Sequence, residues 1–208
     1  MRNTHQSGES DAELARRLDA LCEEGRDFWF EFDAHVRQDR WHPFVPADYD
    51  QVRTVLLSLR QPGLRFLEWG SAIGVITIMA DLMGFDACGV EIDATLVRSA
   101  CELAERTGSS ARFAEGSFIP MGWQWRPPDG DGRTATLGQG PSGYAKLGRP
   151  LEDFDIVYGY PWSGEESLMQ DLMRCHGRRE ALLLLHSVDS GVRAYRQGAE
   201  VELDRTRD

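Results

Sequence analysis

Phe66-Leu67-Glu68-Trp69-Gly70-Ser71-Ala72-Ile73-Gly74 is the most informative stretch of this chain. Apolar residues run up to an acid, small residues follow, and a helical apolar pattern opens at Gly74. Gly70 permits a positive φ where the chain reverses, Ala72 is small enough for a ligand to approach the backbone, and Gly74 lets a helix pack close to the strand. The stretch therefore reads as strand, ligand-holding turn and helix. Ala72 replaces the middle glycine of a G-x-G-x-x-G pattern, so the turn alone is equally compatible with a plain tight connection.

Next outward comes Gly89-Val90-Glu91-Ile92-Asp93, with Glu91 falling 21 residues after Gly70 at the end of a second apolar run. That spacing puts Glu91 beside the glycine turn, where a carboxylate accepts hydrogen bonds from a ribose diol. Asp93 is suited to cap the following helix, whose dipole favours a negative charge at its start.

Short apolar runs then alternate with helical periods. Strands are expected near 64–69, 87–91, 111–114, 154–158 and 181–186, and helices near 74–83, 94–107 and 164–176. Such an order predicts an α/β, Rossmann-like, doubly wound and mostly parallel sheet. Ser163 and Glu166 are spaced as a capping box, and Gly177 suits a left-handed helix end. Upstream, Ser10 and Glu13 form another capping box, and Leu14, Leu18, Leu21, Gly25, Phe28, Phe32 and Val36 recur at helical spacing. Pro43 and Pro46 close that helix, and a second is expected over 47–59. Residues 1–60 thus read as a helical cap on a core of 61–208, the whole being one structural domain.

Two segments break the pattern. Residues 121–150 hold seven glycines and four prolines where a crossover helix would be expected, and read as a loop insertion that moves when ligands bind. After Val188 the chain has room for one strand around 192–195 and an acidic tail, so the C-terminal end of the sheet is expected to be shortened.

The 208 residues carry 23 Lys and Arg against 34 Asp and Glu, a formal charge of −11. A surface so acidic is a poor match for a phosphate backbone, so nucleic acid is not expected as a partner. Cys22, Cys88, Cys101 and Cys175 make no C-x-x-C pair and read as free thiols, and no His, Cys or carboxylate grouping has metal-ligand spacing. No apolar run approaches the roughly 18 residues of a membrane span, and the first residues lack a signal-peptide core, so a cytoplasmic protein without a membrane partner is expected. Oligomeric state is not legible.

With Glu68–Gly74, Glu91 and the segment Phe154–Trp162 in view, the chain resembles the class I S-adenosylmethionine-dependent methyltransferases over about residues 64–186. The resemblance implies S-adenosyl-L-methionine as cofactor. It places Glu68 near the methionine portion, the turn (Gly70, Ser71, Ala72, Gly74) facing the methionine portion and ribose, and Glu91 on the ribose hydroxyls, with Ile92 also among the cofactor-binding residues. A carboxylate at Glu68 suits a cationic ammonium and sulfonium and repels the pyrophosphate of a nicotinamide dinucleotide. Where many members of that family have an aspartate on the adenine, this chain has Ser117, so adenine recognition would fall to the Gly116, Ser117 and Phe118 backbone, with the Phe118 ring as an apolar face.

The fourth strand runs out through Tyr158-Gly159-Tyr160-Pro161-Trp162, similar to the Asn-Pro-Pro-Tyr type loop of amino-group methyltransferases but with Gly159 in place of the amide. Tyr158, Tyr160 and Trp162 would wall the acceptor site, and plain packing accounts for such an aromatic cluster as well. His42 is a candidate general base, Tyr158 and Tyr160 are further candidate catalytic groups, Tyr49 is a weaker one, and Trp41, Tyr160, Pro161 and Trp162 are expected to bind substrate. The reading is methyl transfer to a small molecule or a protein side chain. A non-catalytic S-adenosylmethionine-binding protein and a nicotinamide-dependent oxidoreductase are the alternatives.

Overall fold

The computed structural model describes residues 10–37, 44–123, 140–162 and 164–203. Seven strands lie among them: β1 Arg65–Trp69, β2 Asp86–Glu91, β3 Arg112–Glu115, β4 Ile156–Gly159, β5 Leu182–Ser187, β6 Gly191–Arg196 and β7 Ala199–Val201. They form one sheet in the order β3-β2-β1-β4-β5-β6-β7, parallel through β5 and antiparallel beyond it. Because β2 and β4 flank β1 on opposite sides, the strand order reverses at β1, and the crevice beyond its carboxyl end is where ligands of such sheets bind.

The period-2 alternation of the strands sorts the core onto two faces. Phe66, Ile156, Tyr158, Leu182 and Leu184 pack with α1 (Asp11–Phe32), α2 (Tyr49–Ser58), α3 (Val75–Leu82) and α4 (Ala94–Thr107). Leu67, Trp69, Val157, Leu183 and Leu185 pack with α6 (Glu166–His176) and with Tyr144 of the short α5 (Tyr144–Leu147). The expected helical cap is thus built into one of these cores: Leu14, Leu18 and Leu21 of α1 are nearly inaccessible. A Cβ at Gly25 would lie 2.7 Å from the Val75 side chain, so the missing side chain lets α1 lie directly on α3. The Ser10 hydroxyl accepts from the Glu13 amide as a capping box requires, and a single π turn, Asp33–Arg37, follows α1.

Three expectations need correction. The C-terminal part of the sheet holds two strands, not one. Gln197 and Gly198 both adopt positive φ, +52° and +79°, the backbone of a two-residue hairpin turn, so β7 folds back on β6 without any crossover helix. The insertion is structured at its returning limb, where Gly143 opens α5, and a 3-10 turn, Leu151–Asp153, follows it; 124–139 lie outside the described residues. Gly177 is not left-handed: its φ is −78°, and its small size serves a close approach to the Met173 carbonyl, 2.6 Å from where a Cβ would sit. Ser163 of the expected capping box lies outside the described residues.

No helix among the described residues is long and apolar enough to cross a membrane.

Candidate cofactor and acceptor site

A cavity of about 580 Å³ opens at the carboxyl ends of β1, β2, β4 and β5. Its first half is built by the β1–α3 turn. Gly70, Ala72 and Gly74 all have positive φ (70°, 45° and 79°), and the amides of Gly70 and Ser71 both donate to the Val90 carbonyl on the neighbouring strand. Gly74 caps α3 in a conformation that L side chains rarely adopt, and a Cβ there would stand 2.4 Å from the Phe113 ring. Ser71 fits over Gly89 of β2, where any side chain would collide with it.

Two buried carboxylates flank this turn. Glu68 accepts from the Thr77 amide at 2.9 Å and the Thr77 hydroxyl at 2.5 Å, both on Oε2. Nothing among the described residues bonds its Oε1. Burial pushes its carboxyl up to about 8, against the opposing pull of the two Thr77 hydrogen bonds, and the neighbouring charge of Glu91 pushes the same way as burial. Glu91 accepts from the amide of Ala72 on Oε2 (2.9 Å) and from the amides of Ile92 (2.7 Å) and Asp93 (2.9 Å) on Oε1. Burial raises its carboxyl too, and these amides restrain the rise. Asp93 caps α4 as expected, accepting from Thr95 and Leu96.

Gly116, Ser117, Phe118 and Ile92 line the same end of the cavity. The Ser117 backbone does not face it freely, however. Its amide donates to the Pro141 carbonyl and its carbonyl accepts from Gly143, so the insertion's returning limb takes up the hydrogen bonds expected for an adenine ring. The Gly116 amide likewise goes to the Glu91 carbonyl. Phe118 is 3% exposed and stacks on Trp69 with ring centroids 5.1 Å apart, so it combines a core role with a place on the cavity floor.

The second half of the cavity is lined by Phe44–Ala47 and Tyr49 from the cap, Tyr160–Trp162 after β4, Glu166 of α6, Ser187–Ser190, and Arg193 of β6. Tyr160, Pro161 and Trp162, the expected substrate-binding residues, line the cavity. Tyr158 does not line the cavity: it pairs in register with Glu68, points into the α1–α3 core, is 1% exposed, and meets Nδ1 of His186 at 3.0 Å through its hydroxyl. Strand parity carries it inward, and burial, with the Glu68 charge, holds its phenol well above the ordinary range. Trp41 and His42 lie outside the described residues. Sequence reasoning passed over Glu166, at the start of α6, as a cavity residue, and over Arg193 and the β5–β6 turn, which reach the cavity because β6 returns alongside β5. The Arg193 guanidinium, 2.9 Å from Glu166, had no motif to announce it.

No protein-family model matches the chain. Over an alignment of 85 positions that covers 38% of the chain, it is 34% identical to the ribosomal protein L11 methyltransferase of Thermus thermophilus, and the match spans 34% of that protein's length. Among solved structures, an RNA methyltransferase from Salinibacter ruber, in complex with S-adenosyl-L-homocysteine, superposes over 77% of this chain and 99% of its own, with a TM-score of 0.53 and 16% identity. The chain has the class I methyltransferase fold. Within the methyltransferase fold the cavity occupies the switch point at β1, and the expected sheet class is borne out. The expected partners are not. Nucleic acid is excluded above on net charge, yet an RNA methyltransferase is built on the same fold, and the curated relative is named for a ribosomal protein, so neither comparison points to a small-molecule acceptor. Formal charge summed over a whole chain does not describe the one face that meets an acceptor.

Proposed function

We propose that the chain is an S-adenosylmethionine-dependent methyltransferase. The observation that carries this reading is the placement of two buried carboxylates, Glu68 and Glu91, on either side of the Gly70–Gly74 turn at the carboxyl edge of a sheet with this fold. The residues present suit the cofactor. Glu68, protonated near pH 7 in the free protein and with no hydrogen bond to its Oε1 among the described residues, ionises beside a bound ammonium or sulfonium and so favours a cation over a pyrophosphate. Glu91 Oε2 holds a single amide hydrogen bond and keeps a lone pair for a ribose hydroxyl. Ile92, Leu96 and Phe118 supply apolar walls for an adenine ring, and the cavity volume falls within the roughly 300–1,000 Å³ of small-molecule sites.

When bound, S-adenosylmethionine supplies a methyl group activated by its sulfonium. The chain's own part is positioning, because displacement at that methyl needs the acceptor atom in line at about 3–3.5 Å. Tyr160, Pro161 and Trp162 face the turn across the cavity and provide an apolar, aromatic wall that holds an acceptor and excludes water.

Calorimetry with S-adenosylmethionine and with NAD, on the wild type and on Glu91→Ala, tests the cofactor. Micromolar S-adenosylmethionine binding that weakens in the variant by about 2 kcal/mol supports the reading; preference for NAD, or no binding by folded protein, overturns it. Tritium transfer from labelled S-adenosylmethionine into separated RNA, protein and small-molecule fractions then identifies the acceptor. Binding without transfer to any fraction would make the chain a cofactor sensor.

A further inference from the structure

His186 is a histidine that neither the fold nor the cofactor half of the site requires. It lies on β5, 3% exposed, behind the acceptor wall. The Tyr158 hydroxyl is 3.0 Å from its Nδ1, and the Tyr160 ring lies flat against its imidazole, centroids 4.7 Å apart and planes within 18°. Tyr160 sits one residue beyond the end of β4, so backbone pairing no longer fixes its side chain, and the imidazole is the aromatic surface it rests on.

Resting on the methyltransferase reading above, we propose that His186 is a positioning residue that sets the plane of the Tyr160 ring and thereby the place of the methyl acceptor. The chain of support runs from the core outward. Tyr158 is held by the packing of the α1–α3 face, its buried hydroxyl has no other partner among the described residues, and its proton is satisfied when Nδ1 accepts it, in the tautomer that carries the imidazole proton on Nε2. The imidazole, fixed at one edge by this bond, presents a flat face to Tyr160, and Tyr160 presents its other face to the cavity. Charging the imidazole would turn Nδ1 into a donor and strand the Tyr158 hydroxyl. Burial favours the neutral ring, while Asp48 at the start of α2 pulls the other way. The titratable groups around it are Tyr158 within β4, Tyr160 just beyond it, and Asp48 from the cap.

The test separates the flat ring from the hydrogen bond. His186→Phe keeps a ring beneath Tyr160 and His186→Ala removes it. In the acceptor fraction found by tritium transfer, His186→Ala should raise the half-saturating acceptor concentration or lower turnover by roughly 10- to 100-fold, the scale of a misplacement near 1 Å. His186→Phe should restore most of that loss, and calorimetric affinity for S-adenosylmethionine should stay within about twofold in both, because the cofactor half is untouched. A His186→Phe variant as impaired as His186→Ala, with both folded, overturns the proposal. A second measurement needs neither cofactor nor acceptor. The Tyr160 ring proton resonances, assigned with Tyr160→Phe, should be shifted upfield in the wild type, remain so in His186→Phe, and move to ordinary tyrosine positions in His186→Ala. If His186→Ala does not fold, His186→Asn takes its place. Tyr160 resonances that ignore the loss of the imidazole overturn the proposal whether or not the chain binds S-adenosylmethionine, while absence of cofactor binding by the wild type, with these shifts intact, would overturn the methyltransferase reading and the methyl-acceptor role with it, leaving only the support of the Tyr160 ring by His186.

Discussion

The amide of Ala72 donates to Oε2 of Glu91 at 2.9 Å, tying the ligand-facing turn of one strand to the terminal carboxylate of the next. Together with the amides of Ile92 and Asp93 on Oε1, this makes Glu91 a structural acceptor before any ligand arrives. Glu91→Ala is expected to destabilise the fold by about 2–4 kcal/mol, since it leaves amides at a buried turn without partners. Glu91→Gln, which keeps one carbonyl acceptor, should cost less. Urea unfolding of the two variants measures the difference, and equal stability of all three proteins would contradict it.

Glu68 supplies the pH dependence. Its folded-state carboxyl is raised to about 8 from an ordinary value near 4.5, so the native state keeps a proton that the unfolded chain has lost. The contribution is fully present below pH 4.5 and is lost as pH rises through 8. Wild-type stability should therefore decline between pH 5 and 8 more steeply than that of Glu68→Gln, whose amide does not titrate. A cation binding beside Glu68 favours its ionised form, so S-adenosylmethionine binding near pH 7 should release a proton, visible as a calorimetric enthalpy that varies with the buffer's own ionisation enthalpy.

At Gly74 two penalties coincide. The residue holds φ +79° and its missing Cβ would meet the Phe113 ring at 2.4 Å. Gly74→Ala should cost roughly 2–4 kcal/mol from left-handed strain plus overpacking, read as a fall in Tm. A tolerated alanine would mean that α3 is able to shift away from β3.

Trp69 Nε1 donates to the Tyr144 hydroxyl at 2.9 Å inside the second core, which joins the insertion's returning limb to the end of β1. Tyr144→Phe removes the acceptor but keeps the ring, leaving a buried indole N–H unsatisfied at a cost of about 1–3 kcal/mol. Denaturation followed by tryptophan fluorescence should show both the lost stability and an altered Trp69 environment.

The parts of this molecule that were readable from residues are those whose signals are local. The Glu68–Gly74 turn carries its glycines and its acid within a single stretch, Asp93 caps the helix it precedes, and α4 keeps its helical period from end to end. Long-range pairing hid the rest. Ser117 looks free for a ligand until Pro141 and Gly143 arrive from the far side of an insertion with no periodicity. Tyr158 and Tyr160 look alike in sequence, and only the register of β4 against β1, setting Tyr158 opposite Glu68, sends the first into the core. The Gln197–Gly198 turn is likewise non-obvious, because only its two positive φ values, seen in the fold, mark it as a hairpin.

The meander β5–β6–β7 has a bearing on how such a chain diversifies. The carboxylates and turn assigned to the cofactor lie between residues 68 and 91 on parallel strands locked from both sides, whereas the opposite wall draws on a strand end, a short turn and a ribbon at the sheet margin. Lengthening the β5–β6 turn or exchanging side chains on β6 would reshape what the pocket accepts without disturbing the hydrogen bonds among Ala72, Glu68, Thr77 and Glu91. The architecture thus separates a tightly braced half of the pocket from an adaptable one, and on the proposed function a change of acceptor has a place to arise that leaves the cofactor's cradle unaltered.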